Sequence, residues 1–181
     1  CFSCHIDTSS SPLLVCGEEI LTLRHRIFLF AGANPREVLR RPSTLVGLFE
    51  VRAASLAAIA SARMDGLMRG GVSEGDARNS CAQRLIFAAR AHCQLILLRD
   101  FEAFLSQQSG GRGRGGGVNE LAVLAKLFAV MALYLIEVHL GDFLTSGCLT
   151  PHSALAVGVE LDALLCELRP DAVSFFSRYI V

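Results

Sequence analysis

The sequence predicts an all-α fold, an up-and-down bundle of four to five helices. Apolar residues recur at three- and four-residue steps over long stretches. Those stretches are separated by Gly70-Gly71, a glycine-rich loop and Thr150-Pro151, and no alternating strand pattern of useful length interrupts them. A chain of 181 residues suits one domain with a single sizeable core. Apolar residues make up 52% and charged residues 19%, so some apolar surface is expected to be hidden against a partner. With 17 basic and 17 acidic residues the net charge is zero. That gives no electrostatic case for nucleic acid or anionic membrane, and it favours poor solubility of the chain alone.

Residues 1–42 read as a leader. Residues 1–12 are polar and include Ser9-Ser10-Ser11-Pro12, whereas 13–30 are apolar around Arg24-His25-Arg26 and suit a short helix. Gly32, Pro35 and Pro42 then break the chain. The opening Cys1-Phe2-Ser3-Cys4-His5 has neither an initiator methionine nor a basic secretory n-region, so the chain is expected to be a piece of a longer polypeptide.

The bundle is assigned to 43–181. Ser43 or Thr44 can cap a first helix through Leu45, Leu48, Phe49, Arg52, Leu56, Ile59 and Met64, ended by Gly70-Gly71. Ser73 caps the next helix, with Glu74 and Asp76 placing negative charge at the positive end of its dipole. From Asp76 to Gln107 the residues Leu85, Ile86, Ala89, Cys93, Ile96, Leu97, Phe101 and Phe104 trace one stripe predicted to face the core. About 32 residues at 1.5 Å rise span roughly 48 Å, the length of an elongated bundle. Residues 109–117, with Arg112 and Arg114 among glycines, read as a flexible loop between antiparallel helices.

Asn119-Glu120 starts a third helix, apolar almost all round from Leu121 to Phe143 and therefore expected at the centre. The run 121–140 is the one stretch that resembles a membrane span. Lys126, Glu137 and His139 within it make a buried core helix the better reading. Gly141 and Gly147 mark its end, and Thr150-Pro151 opens a fourth helix running to about Glu167. Leu155, Val159, Leu161, Leu164, Leu165 and Leu168 are its expected buried face, and Pro170 its expected stop before a short stretch through Phe175, Phe176 and Tyr179.

The chemical candidates are sparse. Cys1, Cys4, His5 and Cys16 hold a Cys-x-x-Cys without the second pair of a zinc site, and the seven cysteines read as reduced thiols rather than a disulfide framework. His92 and Cys93 are adjacent, but neighbours on a helix point about 100° apart and cannot act as base and nucleophile. Glu18, Glu19 and Glu137 have no partner placed by spacing, so no acid–base pair is assigned. Arg90, on an apolar helix, needs a counter-charge, and Glu137 or Asp142 is the expected partner. No catalytic, cofactor-binding or metal residue is assigned. Arg90, His92, Glu137, Asp142 and Arg169 stand as structural or interface residues.

Several strings in fixed order carry a resemblance. They are Leu48-Phe49-Glu50-Val51-Arg52-Ala53-Ala54, Ala77-Arg78-Asn79, Ala89-Arg90-Ala91-His92, Tyr134-Leu135-Ile136, Gly141-Asp142-Phe143-Leu144 with Gly147 and Leu149-Thr150, and Leu168-Arg169-Pro170-Asp171-Ala172-Val173. From about Leu45 to Tyr179 the chain is similar to the last helical domain of the flavin-dependent acyl-CoA oxidases of peroxisomal β-oxidation, a fold like the C-terminal domain of acyl-CoA dehydrogenases. The resemblance implies an enzyme that removes hydrogens from the α and β carbons of a fatty acyl-CoA. A glutamate takes the α proton, FAD takes the hydride, and oxygen reoxidises the flavin to give hydrogen peroxide. The family's Glu-Gly-Asp-Asn segment with that base is not recognisable in residues 1–44. Gly17-Glu18-Glu19 is a faint echo that places Cys16 at the base position.

The resemblance therefore implies a scaffolding and dimerisation lobe, inactive alone. FAD and acyl-CoA belong to the full-length enzyme, and the partners are its catalytic domains and a second subunit. The implied location is the peroxisome, although the chain ends Tyr179-Ile180-Val181 rather than in a Ser-Lys-Leu-type tripeptide. Two alternatives stay open at this point. One is a stand-alone helical interaction module touching RNA through Arg112 and Arg114, and the other a thiol or zinc protein built on Cys1, Cys4 and Cys16.

Overall fold

A computed structural model describes residues 35–110 and 118–179. Among the described residues there are seven helices and no strand. They are α1 (Pro35–Leu39), α2 (Pro42–Arg69), α3 (Glu74–Ser80), α4 (Ala82–Gly110), α5 (Val118–Val138), α6 (Leu140–Thr145) and α7 (Pro151–Tyr179). The four long rods α2, α4, α5 and α7 make the bundle. Each packs on the next in the sequence, most extensively α2 along α4 and α5 along α7, while α1 lies on α7. The short helix expected within 13–30 and the Gly/Arg loop beyond Gly110 lie outside the described residues.

Local signals explain most of the helix ends. The first long helix begins one residue before the expected caps: Arg41 is the cap position, without a side-chain cap bond, and Pro42 takes the first turn. A proline there loses nothing, because its missing N–H would have had no intrahelical acceptor. At the far end Gly71 adopts φ 87°, which lets its N–H reach Met68 O at 3.0 Å and the Val72 N–H reach Leu67 O at 3.1 Å. This is a Schellman stop, and it needs a residue without a Cβ. Gly147, φ 70°, ends α6 in the same way, with the Cys148 N–H on Phe143 O. Ser73 caps α3 by accepting from the Asp76 N–H at 3.2 Å, and Thr150 caps α7 by accepting from the Ser153 N–H at 3.1 Å.

Three predicted continuities and stops are corrected. The second long helix is two pieces, broken at Cys81, whose N–H is shared by Ala77 O and Arg78 O. Ala77 and Cys81 are both fully buried there, so packing holds the tightened turn. The third helix also breaks, at His139, so that Phe143 on α6 can turn into the core and meet Phe49 edge-on at 5.1 Å. Conversely, Pro170 does not stop the fourth helix, which continues to Tyr179. Pro170 and Cys166, one turn before it, are both exposed, the side toward which a helix can bend away from its missing bond.

One core joins all four rods. Its largest fully buried side chains include Phe49, Phe128, Phe143, Leu98, Leu133 and Leu164. The predicted face of α4 is corrected, because burial falls on a different side of that rod, and the predicted face of α7 holds for half of its residues. On α4 Ala91, Leu95, Leu98 and Leu105 are buried, whereas Ile86, Ile96, Leu97 and Phe104 of the predicted stripe are 45–55% exposed. On α7 Val157, Leu161, Leu164 and Leu168 are buried, whereas Leu155, Val159 and Leu165 face outward. The α5 rod is apolar all round yet not central, for Leu127, Tyr134 and Val138 are exposed. Two helices, Pro42–Arg69 and Glu120–Val138, have the length and composition of membrane spans, so the run in the third helix is not alone. Each supplies residues to the shared core.

The described part of the leader also joins the bundle. Leu39 is 2% exposed in the core, and Arg36 of α1 and Arg40 just after it reach Glu160 of α7, which is fully buried. Arg40 also holds Glu167 at 2.7 Å. A buried carboxylate with two guanidinium partners is compensated where a lone one would be expelled.

Candidate functional site

Two features of the bundle could do something beyond holding it together: a polar network at the α5–α6 corner, and the apolar faces left open on α4 and on α5 with α7. The network is built around Arg52, a charged residue at a core register of α2 and only 2% exposed. Its Nε donates to Asp142 Oδ2 at 3.0 Å, and its Nη2 stands 2.9 Å from the same oxygen in an ion pair. Its Nη1 donates to Gln94 Oε1 at 2.6 Å. The guanidinium carbon lies 5.4 Å from the Phe143 ring centre, where the electron-rich face of the ring favours a cation. Thus α2, α4 and α6 meet at one buried charge.

The Gln94 amide extends the chain, its Nε2 lying 3.3 Å from His139 Nε2. His139 is half-buried, and its pKa is lowered by that burial and then by Arg52, with Arg90 adding and Asp142 opposing. Glu102, half-buried on α4, is raised by burial and then by Glu50, although Arg99 opposes the shift.

The residues singled out from the sequence are not gathered into one site. Asp142 is in the network, but its partner is Arg52, not Arg90. Arg90 is exposed on α4 and makes no ion pair among the described residues; Asp142, its expected partner, is half-buried against the deeper cation. His92 is exposed on α4 and Arg169 on α7. Glu137 is exposed on α5, its Oε1 3.8 Å from where a Cβ on Gly158 of α7 would stand. Sequence reasoning missed Arg52, Gln94 and His139 as a unit. The signal was present for Arg52, since it sat within the apolar stripe of the first helix and called for the same counter-charge argument applied to Arg90.

Among the described residues no three His, Cys, Asp or Glu side chains group as metal ligands. Cys81, Cys93 and Cys166 are free thiols, and the Cys148 thiol donates to Phe143 O at 3.3 Å. Cys1, Cys4, His5, Cys16, Glu18, Glu19, Arg112 and Arg114 lie outside the described residues. Among the described residues neither arginine cluster fits a flavin dinucleotide. Arg52 commits its donors to Asp142 and Gln94, and Arg40 commits its own to Glu160 and Glu167, so neither is left to hold a pyrophosphate.

Comparison with known proteins decides which family this bundle belongs to. The acyl-CoA oxidase family model matches residues 41–176, which include the Arg52 network and the four long rods except the last three residues of α7. The chain belongs to the acyl-CoA oxidase family. The peroxisomal acyl-coenzyme A oxidase 1 of Arabidopsis thaliana is 30% identical over 155 residues, covering 86% of this chain and 22% of that protein. The solved structure of Arabidopsis thaliana acyl-CoA oxidase 1 superposes with a TM-score of 0.73 at 27% identity, over 92% of this chain and 24% of that one. A Caenorhabditis elegans acyl-CoA oxidase-1, complexed with FAD and ATP, has the same fold at 18% identity, with a TM-score of 0.66 over 90% of this chain and 26% of that one. The chain therefore spans about a quarter of the length of the oxidases that it matches.

Proposed function

We propose that this chain is the C-terminal supporting lobe of an FAD-dependent acyl-CoA oxidase, acting in the peroxisome to pack against the catalytic domains and to help form the homodimer. The lobe is 43–181 with α1 docked on it. In the whole enzyme FAD would accept the hydride taken from the acyl chain, and no residue described here takes part in that step. What this chain's own residues do is present surface. The observation that carries the proposal is that the family match covers nearly all of the four rods while apolar faces remain open on them. Ile86, Leu97 and Phe104 mark the α4 face, and Tyr134, Leu155 and Val159 mark the α5–α7 face. Apolar surface of that extent is worth about 25 cal/mol per Å² once covered, which favours a partner that excludes water from it. Family membership and the matched region favour this reading over a stand-alone RNA-touching module or a zinc protein.

The test grafts residues 41–179 onto the Arabidopsis oxidase in place of its matching segment. The graft is expected to assemble and to produce peroxide from an acyl-CoA, whereas the 181-residue chain alone produces none. Leu97→Glu and Val159→Glu, each placing a charge on one open face, are expected to reduce assembly of the graft at least tenfold. Robust peroxide production by the isolated chain, or normal assembly with both faces charged, would overturn the proposal.

A further inference from the structure

The corner between α5 and α6 holds a hydrogen-bond chain whose directions are set by chemistry. Arg52 has only N–H groups to offer, so the Gln94 atom 2.6 Å from its Nη1 must be the amide oxygen. The other end of that amide is then the NH2 group, and it points at His139 Nε2 from 3.3 Å. An NH2 group can only donate, so His139 Nε2 must accept through its lone pair. The imidazole is neutral and carries its proton on Nδ1.

We propose that Arg52, Gln94 and His139 form a proton-operated latch, which ties the α5–α6 corner to α2 and α4 while His139 is neutral and releases it when His139 takes up a proton. Protonation places an N–H on His139 Nε2, opposite the Gln94 NH2, and two donors repel. Turning the amide over does not help, because the same NH2 group would then face Arg52. One amide oxygen cannot stand at both ends. The groups around His139 reinforce the effect. Arg52 faces it from α2 and Arg90 from α4, both cationic, against the single carboxylate of Asp142 on α6. Its lowered pKa, caused first by burial and then by Arg52, agrees with a site built for the neutral ring.

The backbone places the latch where release would matter. His139 occupies the cap position of α6, at φ −113° and ψ 25°, between the end of α5 and the start of α6. Its N–H is bonded to Leu135 O and its carbonyl to the Asp142 N–H, so movement of its ring is felt in both helices. Asp142 and Phe143 follow at once, one holding Arg52 and the other buried in the core. Because the folded chain resists protonation at His139, the unfolded chain binds more protons below the ordinary value of about 6.5. The latch is therefore fully closed above that value and weakens as the pH falls.

The experiment uses the full 181-residue chain, with imidazole nitrogens followed by NMR and backbone amide protection measured at pH 7.5 and 5.5. The expected spectrum has the proton on Nδ1 and a titration below the ordinary imidazole value. Protection at residues 139–145 is expected to fall severalfold at the lower pH, up to the roughly tenfold that one proton taken up at about 6.5 can supply. In His139→Gln the side-chain oxygen can accept from Gln94 at every pH, so that loss is expected to disappear. A proton found on Nε2 at neutral pH, titration at or above the ordinary value, or an equal pH response in His139→Gln would overturn the proposal. Should His139→Gln fail to fold, the tautomer and the titration of the unaltered chain decide it alone.

Discussion

Removing Asp142 should destabilise the bundle more than removing Arg52, although Arg52 is the larger and more buried residue. The Arg52 side chain is 3% exposed and that of Asp142 36%. Asp142→Ala strands a buried guanidinium, leaving Nε and Nη2 without the oxygen that both now share. Breaking a buried pair in this way costs about 3–5 kcal/mol, and the partial exposure of the Asp142 side lets water recover some of it, so about 3 kcal/mol is expected. Arg52→Met removes the charge, keeps an apolar stem of similar length on the Phe143 ring, and leaves a carboxylate that water already reaches. Its expected cost is about 1–2 kcal/mol, chiefly the lost bond to Gln94. At roughly 2–4 °C per kcal/mol for a chain of this size, Asp142→Ala lowers Tm by about 6–12 °C and Arg52→Met by about 2–8 °C. Urea titration of both variants and of the double variant measures the order and the coupling, and the double variant should cost less than the sum by more than about 1 kcal/mol. If Arg52→Met proves the more damaging of the two, the buried charge is not what makes Asp142 necessary.

Two further predictions follow from the faces and from charge. Leu98 is fully buried and its neighbour Leu97 is 54% exposed, so Leu98→Ala should cost about 3–5 kcal/mol in the isolated chain and Leu97→Ala less than about 0.5, both read by denaturant unfolding. Equal costs would mean that α4 is rotated from the orientation described. Glu167 is held below its ordinary value of 4.5 by its bond to Arg40. As a depressed carboxylate it stabilises the fold above that value, and the contribution is lost as the pH falls through the folded pKa. NMR titration of the Glu167 carboxyl should show this, and Arg40→Ala should return it toward 4.5; an unchanged titration in that variant would mean that Arg40 is not the cause.

Much of the architecture was legible because helix ends are local events. Ser73, Thr150-Pro151, Gly71 and Gly147 each act on groups within about one turn, so their residue types alone announce what they do. The fold class and the family strings are likewise properties of the chain read in order. The polar network was legible only in pieces. Arg52, Gln94 and the neighbouring pair His139 and Asp142 come from three helices far apart in the sequence, and nothing in that spacing says that they meet.

Which side of a rod is buried was decided by the neighbouring rods. Both Leu97 and Leu98 are apolar, as are both Leu164 and Leu165, and a helix apolar over much of its girth offers several faces of similar hydrophobicity. Periodicity cannot choose among them; the Phe49–Phe143 and Phe101–Phe128 contacts and the Arg52 pairing do. The same packing breaks the helix at Cys81 and His139, because burial of several side chains outweighs one lost backbone bond. Sequence alone determined that this chain makes capped apolar rods of a known family order. Only the tertiary structure decided which faces they share and which they keep open, since that choice is a sum over contacts between residues remote in the chain.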